Sequence, residues 1–329
     1  MKVGINGFGR IGRCLLRQVY ESSMKKISIE IVNINDIEIS SENAAYLLSQ
    51  DSLYGSFPGK IESKNGFLLV NENKIPFSRN KKHDWEKTNP ETIVINTSPF
   101  KLSLKNRTII YTDNYKNCDA TFIFGFNHKN YDPLKHHVIS AGTCTGNALA
   151  PIIDIIDKTY VIKNAHFISV HPPLSDQKVI DSPHEKYSLG RRSYDTIITT
   201  ESGIENSIII LFPHLKGKVT GIHHRVPVRG SLIDVSFTLN QNITLEEINL
   251  LLREVSQNSN GVIGYFEGLF GQAKVSSDFV KDSHSVIISS LHTQVRDNKL
   301  SLVLYHDPEW SYVSNLLRLL NYIGEIKNG

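Results

Sequence analysis

The chain is predicted to be α/β, and three observations carry that prediction. β-branched strands alternate with helical runs through roughly the first 140 residues, longer alternating strands follow, and a glycine-rich turn joins the first strand to the first helix. The turn makes residues 1–143 a Rossmann dinucleotide-binding domain, completed by a C-terminal helix at 310–329. Residues 144–309 are expected to form an α+β domain with a mainly antiparallel sheet.

Residues 1–13 read MKVGINGFGRIGR, a short apolar strand that breaks at Gly7. Gly7-Phe8-Gly9-Arg10-Ile11-Gly12 then opens a helix expected over 11–20. Gly7 permits the tight turn, Gly9 lets backbone approach a pyrophosphate, and Gly12 lets helix and strand pack closely. The second strand, ISIEIVNIND at 27–36, ends in Asp36. That carboxylate is placed to accept hydrogen bonds from an adenosine ribose, and its charge repels a 2′-phosphate, so NAD is expected over NADP. A capping or loop role is the alternative for Asp36.

A helix is expected over 43–49, short strands around 60–70, and strands at 92–96 and 107–111. The last two are separated by less chain than a crossover helix usually takes, so either they pair differently or a helix has been trimmed. Strands are expected at 120–126 and 138–140, then at 167–171, 219–227, 231–239, 286–290 and 300–305. Amphipathic helices are expected at 245–257 and from 310.

Hydrophobic content of 40% against 21% charged residues describes an ordinary globular chain, and a net charge of +3 indicates neither a nucleic-acid partner nor another polyanion. No apolar run approaches a membrane span, and the chain enters its first strand without a signal peptide. Cys14, Cys118 and Cys144 lack metal spacing and are too few for a disulfide framework, so a cytoplasmic protein without a metal site is expected.

Cys144 stands in SAGTCTGNALAP, small and hydroxyl-bearing residues that run into an amphipathic stretch. A thiol at a helix N-terminus meets unpaired N–H groups and the positive end of the dipole, which favour the thiolate. The plainer reading is a small buried cysteine.

Taken in order, these residues resemble the glyceraldehyde-3-phosphate dehydrogenase family. The carriers are VGINGFGRIGR, Asn35-Asp36, Cys144 to Asn147, His171 at a strand end, Arg225 to Pro227, SSDF at 276–279 and Asp307 to Trp310. Within that family YES at 20–22, DQKVID at 176–181, NLLL at 249–252 and DSHS at 282–285 resemble the erythrose-4-phosphate dehydrogenase type. Leu174 points the same way, standing where the glyceraldehyde enzymes usually carry threonine.

The resemblance implies that Cys144 is the nucleophile and His171 the base, acting as a nearby cation that lowers the thiol's pKa. The second domain is then the catalytic domain. The resemblance also implies that Arg225 holds the substrate phosphate with Asp176 positioning neighbouring groups, that Thr143, Thr145, Ser202 and Gly203 line the substrate and second-anion region, and that Thr97 lies beside the nicotinamide. The implied reaction is NAD-dependent oxidation of D-erythrose 4-phosphate to 4-phosphoerythronate, feeding pyridoxal phosphate synthesis, by a homotetramer. Phosphorylating oxidation of glyceraldehyde 3-phosphate is the close alternative, and a family member that binds with reduced catalysis is another. The sequence departs from the family pattern at Pro308, where the family has a nicotinamide-fixing asparagine, and at Ser98, Gly146 and Leu189. A helix expected after Thr97-Ser98 is missing from the pattern. A weakened second anion pocket predicts water as the thioester acceptor.

Overall fold

A computed structural model describes residues 1–21, 28–81, 83–97, 107–201, 203–268 and 273–328. The chain divides into two compact units, residues 1–143 with 313–329, and residues 144–312.

The first unit is built on β1 (Lys2–Asn6), α1 (Arg10–Glu21), β2 (Glu30–Asn35), α2 (Ser41–Ser49), a two-stranded ribbon of β3 (Gln50–Asp51) and β4 (Gly55–Ser56), β5 (Ile61–Lys64), β6 (Phe67–Val70), β7 (Asn73–Ser78), β8 (Thr92–Ile95), β9 (Thr108–Tyr111), β10 (Ala120–Thr121) and β11 (Val138–Ser140). Its sheet runs β10-β11-β9-β8-β1-β2-β7-β6-β5. The pairings from β10 to β7 are parallel, whereas β5, β6 and β7 pair as antiparallel hairpins. Val3, Ile5, Ile93, Val94, Ile109 and Ile110 are all buried, as expected of parallel strands covered on both faces. Strand order reverses at β1, with β2 on one side and β8 on the other, which puts the crevice at the carboxyl ends of β1 and β8.

Three details differ from the sequence expectation. The second strand is described only from Glu30, and residues 22–27 lie outside the described residues. β8 and β9 do not pair elsewhere: they are adjacent and parallel, with Ile93 opposite Ile109. The trimmed helix expected between them falls at 98–106, outside the described residues. The strand expected over 120–126 stops at Thr121 because Asn127 turns the chain. Its side chain accepts from the Ile123 N–H at 2.8 Å and donates to the Thr121 carbonyl at 2.8 Å. These local bonds outcompete the ladder.

The second unit comprises α3 (Cys144–Tyr160), β12 (Ile162–His171), β13 (Ile198–Glu201), α4 (Ile204–Leu211), β14 (Val219–Arg225), β15 (Ser231–Leu239), α5 (Leu245–Gln257), β16 (Ile263–Phe266), β17 (Val286–Arg296) and β18 (Lys299–His306). α6 (Trp310–Asn328) follows, its residues from Val313 on belonging to the first unit. The sheet order is β13-β14-β12-β15-β18-β17-β16. The β13–β14, β12–β15, β15–β18 and β17–β18 pairings are antiparallel, while β12–β14 and β16–β17 are parallel. The alternation of Ser231 to Leu239 buries Ile233, Val235, Phe237 and Leu239 on one face. α5 starts at a capping box, in which Thr244 Oγ1 accepts from the Glu247 N–H and Glu247 accepts from the Thr244 N–H at 2.8 Å.

Candidate active site

Cys144 is the first residue of α3. The turn before it needs Gly142, whose φ is +67°, a conformation that costs side-chain-bearing residues. Thr145 and Asn147 are buried and Thr143 is half-buried, and Thr145 Oγ1 lies 3.9 Å from the thiol sulfur. Gly146, where the family has a hydroxyl, is buried.

β12 delivers His171 to the same thiol, with Nε2 3.6 Å from Sγ. The other ring nitrogen, Nδ1, lies 2.8 Å from the Pro172 carbonyl, an acceptor that can be served only by an N–H. Nδ1 therefore holds the proton and Nε2 offers its lone pair to the thiol. Burial pushes the imidazole down to about 3, with Arg225, His306 and His223 pushing the same way. Burial also raises the Cys144 thiol, which Thr145 and the Arg225 guanidinium partly offset. Burial thus opposes charge on both members of the pair, against the expected thiolate beside a cationic histidine, because both are withdrawn from the water that would solvate their charges.

The parallel register sets His171 opposite Arg225 of β14, and β13 adds Ile198 on the far side of Arg225. The Val170–Leu232 and Ser231–His306 pairings extend this row across β15 to β18. Arg225, His171, Ser231 and His306 therefore share one face of the sheet. In the next row His223 lies opposite Ser169. His306 is 1% exposed and neither ring nitrogen has a hydrogen-bond partner among the described residues. His223 and His306 are each pushed down to about 4, chiefly by burial. Neither residue was anticipated from sequence, since a histidine in an alternating strand reads equally well as a surface residue.

Arg225 also opens on a cavity of about 450 Å³, walled by Leu174, Asp176, Gln177, Leu189, Thr199 and Thr200, with Lys186 and Ser188. Asp176 and Arg225 attract one another there, while burial lowers the guanidinium's pKa. The structure brings Cys144, Thr145, His171, Asp176 and Arg225 together within the second unit. Leu189 is part of this wall, whereas the nearby Arg191 and Arg192 are engaged by Asp181 at 3.2 Å and Asp195 at 2.5 Å. Gly203 caps α4 at its N-terminus, and Ser202 lies outside the described residues. Pro308 follows the fully buried Asp307, whose Oδ1 accepts from the Glu309 and Trp310 N–H groups at 3.0 and 2.8 Å.

In the first unit Gly7 has φ +96°, and a Cβ there would collide with Thr97, while one at Gly12 would collide with the Gly7 carbonyl. A Cβ at Gly9 would meet nothing within 4 Å, so backbone at the start of α1 is open to a pyrophosphate. Phe8 is buried and its N–H donates to Asp36 Oδ2 at 2.6 Å. Asp36 Oδ1 accepts from the Glu38 and Ile39 N–H groups. Asp36 is thus a loop-fixing residue, and Oδ2 keeps a free lone pair for a ribose hydroxyl. Arg10 is turned to Asp51 at 2.5 Å and lies over the Tyr54 ring, and Ile11 is half-buried in α1. These residues fit NAD.

Fold and site together define a class, the NAD-dependent dehydrogenases that oxidise an aldehyde. The family models "Glyceraldehyde 3-phosphate dehydrogenase, NAD binding domain" and "Glyceraldehyde 3-phosphate dehydrogenase, C-terminal domain" match residues 1–103 and 143–307. Glyceraldehyde-3-phosphate dehydrogenase 2 of Bacillus subtilis (strain 168) is 32% identical over 98% of this chain and 96% of its own. Glyceraldehyde-3-phosphate dehydrogenase 3 of Nostoc sp. is 31% identical, covering 97% of each. The cytosolic glyceraldehyde-3-phosphate dehydrogenase of Chlamydomonas reinhardtii is 32% identical over 99% of this chain and 97% of its own. The chain belongs to the glyceraldehyde-3-phosphate dehydrogenase family.

Proposed function

We propose that the protein oxidises D-erythrose 4-phosphate to 4-phosphoerythronate, with Cys144 as nucleophile and His171 as base. The observation that carries the chemistry is the 3.6 Å approach of His171 Nε2 to the thiol, with Nδ1 held by the Pro172 carbonyl. A neutral imidazole in that tautomer takes the thiol proton as sulfur attacks the aldehyde carbon, and returns it to the oxygen of the thiohemiacetal. NAD, when bound, would supply the hydride acceptor for that carbon. His171 removes the hydroxyl proton again as the thioester forms and gives it up to solvent, and water then releases the acid and restores the thiol. Gly7, Gly9 and Gly12 with Phe8, Arg10, Ile11, Asp36 and Thr97 would hold the dinucleotide. Thr143, Thr145, Ser202 and Gly203 would line the region around the reacting carbon.

Arg225 would grip the substrate phosphate, as a planar guanidinium suits paired oxygens. Leu174, 46% exposed on the cavity wall, supports the four-carbon substrate, since its apolar side chain donates nothing to phosphate where the glyceraldehyde enzymes usually carry threonine. Arg191 and Arg192, already matched by carboxylates, support water rather than phosphate as the thioester acceptor.

Glyceraldehyde 3-phosphate is the second reading, favoured by the printed names of the relatives. Purified protein with NAD and each aldehyde phosphate, with and without inorganic phosphate, separates the two. The expected result is kcat/KM at least about tenfold higher for erythrose 4-phosphate, a carboxylic acid product and no saturable phosphate requirement. A preference for glyceraldehyde 3-phosphate with an acyl phosphate product would overturn it.

We also place the protein in the cytoplasm as a homotetramer without nucleic-acid or membrane partners. Free Cys14, Cys118 and Cys144 support a reducing compartment, and no helix among the described residues is long and apolar enough to cross a membrane. Sedimentation tests the assembly, with four times the 37.1 kDa chain mass expected and the monomer mass contradicting it.

A further inference from the structure

The cavity on Arg225 is larger than one oxyanion needs, and at about 450 Å³ it has the size of a small-molecule site. Its charges do not balance as the family resemblance alone would set them. Arg225 and Asp176 attract one another, so the two together bring no net charge to a phosphate dianion. Lys186 is the other cation on the wall, and among the described residues its ammonium has no ion-pair partner. Gln177 and Thr200 also line the wall.

We propose that Lys186 is a specificity-determining residue for the substrate phosphate, working beside Arg225 where Leu174 offers no donor. With Lys186 the cavity presents one net positive charge to the dianion, and without it none. This rests on the reading that the substrate is a phosphorylated aldehyde. Lys186 reaches the ligand from the exposed rim, so it acts on binding and not on the thiol.

The test compares wild type with Lys186→Gln and Lys186→Arg, taking Arg191→Gln as a control on a neighbouring exposed cation. With NAD and erythrose 4-phosphate, Lys186→Gln is expected to raise KM about tenfold with kcat within about twofold. The ratio of kcat/KM for erythrose 4-phosphate over erythrose falls by the same factor, and Lys186→Arg recovers most of it. Calorimetry with inorganic phosphate gives a second readout, in which Lys186→Gln weakens binding and Arg191→Gln does not. Unchanged KM and unchanged phosphate affinity in Lys186→Gln would overturn the proposal. If wild type oxidises no aldehyde phosphate, the functional reading falls, and the phosphate titration alone then decides Lys186. Weaker binding in Lys186→Gln upholds its role, and equal or absent binding in both proteins refutes it.

Discussion

Arg225 acts on the thiol without donating a hydrogen bond to it. Burial holds the Cys144 thiol above its ordinary pKa, and the guanidinium charge pulls it back towards the thiolate. Removing that charge should therefore move the thiol further up. In Arg225→Gln the rate of Cys144 alkylation by iodoacetamide is expected to follow a titration displaced to higher pH. In wild type the rate should climb through the alkaline range, with no plateau near pH 7. An unshifted curve in the variant would remove Arg225 from the electrostatics of the nucleophile. The residues that motif and chemistry singled out, Cys144, His171 and Arg225, are legible in sequence because each stands in a short characteristic string. Their protonation states are not, because these depend on water excluded by distant segments. Arg17 makes the same point: on a helix it reads as a surface residue, yet it is 2% exposed and donates to Glu21, the Leu48 carbonyl and the Gly55 carbonyl.

At the scale of elements, the three buried histidines in neighbouring rows of β14, β12 and β18 make the second unit's sheet sensitive to acid. His171, His223 and His306 are neutral when folded, with pKa values pushed down to about 3, 4 and 4. An unfolded histidine titrates near 6.5, so below that pH the unfolded state binds more protons and stability falls as pH falls. Each histidine adds up to about 1.4 kcal/mol per pH unit between about 6.5 and 4. His306→Phe should flatten that slope by the share of one histidine. At pH 7 it should stabilise by about 1 kcal/mol, since it replaces a ring whose two nitrogens have no partner among the described residues. Urea unfolding at pH 7, 6 and 5 measures both effects, and a steeper slope or a loss at pH 7 would contradict the account. The end of α3 supplies another expectation. Val161 follows the helix with φ +56°, where a β-branched side chain is strained, and it is 54% exposed. Val161→Asn should stabilise by about 1 kcal/mol, read as a rise in Tm.

For the whole molecule, NAD should behave as a ligand of the folded state alone. Free NAD at a hundredfold excess over Kd is expected to add about 2.7 kcal/mol of stability, whereas NADP at the same concentration adds far less because Asp36 repels its extra phosphate. Equal protection by both dinucleotides would show that the Asp36 carboxylate, tied to the Phe8 N–H, does not select.

Local pattern by itself determined the Rossmann half, the order of strands and helices and the glycine loop, and the family resemblance supplied the candidates for nucleophile, base and phosphate-binding arginine. Period and turn chemistry are written in neighbouring residues, so a chain can be read for them without its fold. Tertiary structure alone decided what the register brings together. Strand pairing set Arg225, His171, Ser231 and His306 in one row, and folding of the 172–200 region put Lys186 and Gln177 on the wall of the Arg225 cavity. It also decided that burial opposes charge on both thiol and imidazole. Burial is a property of many segments at once, and the energies that set a proton's place are summed over all of them.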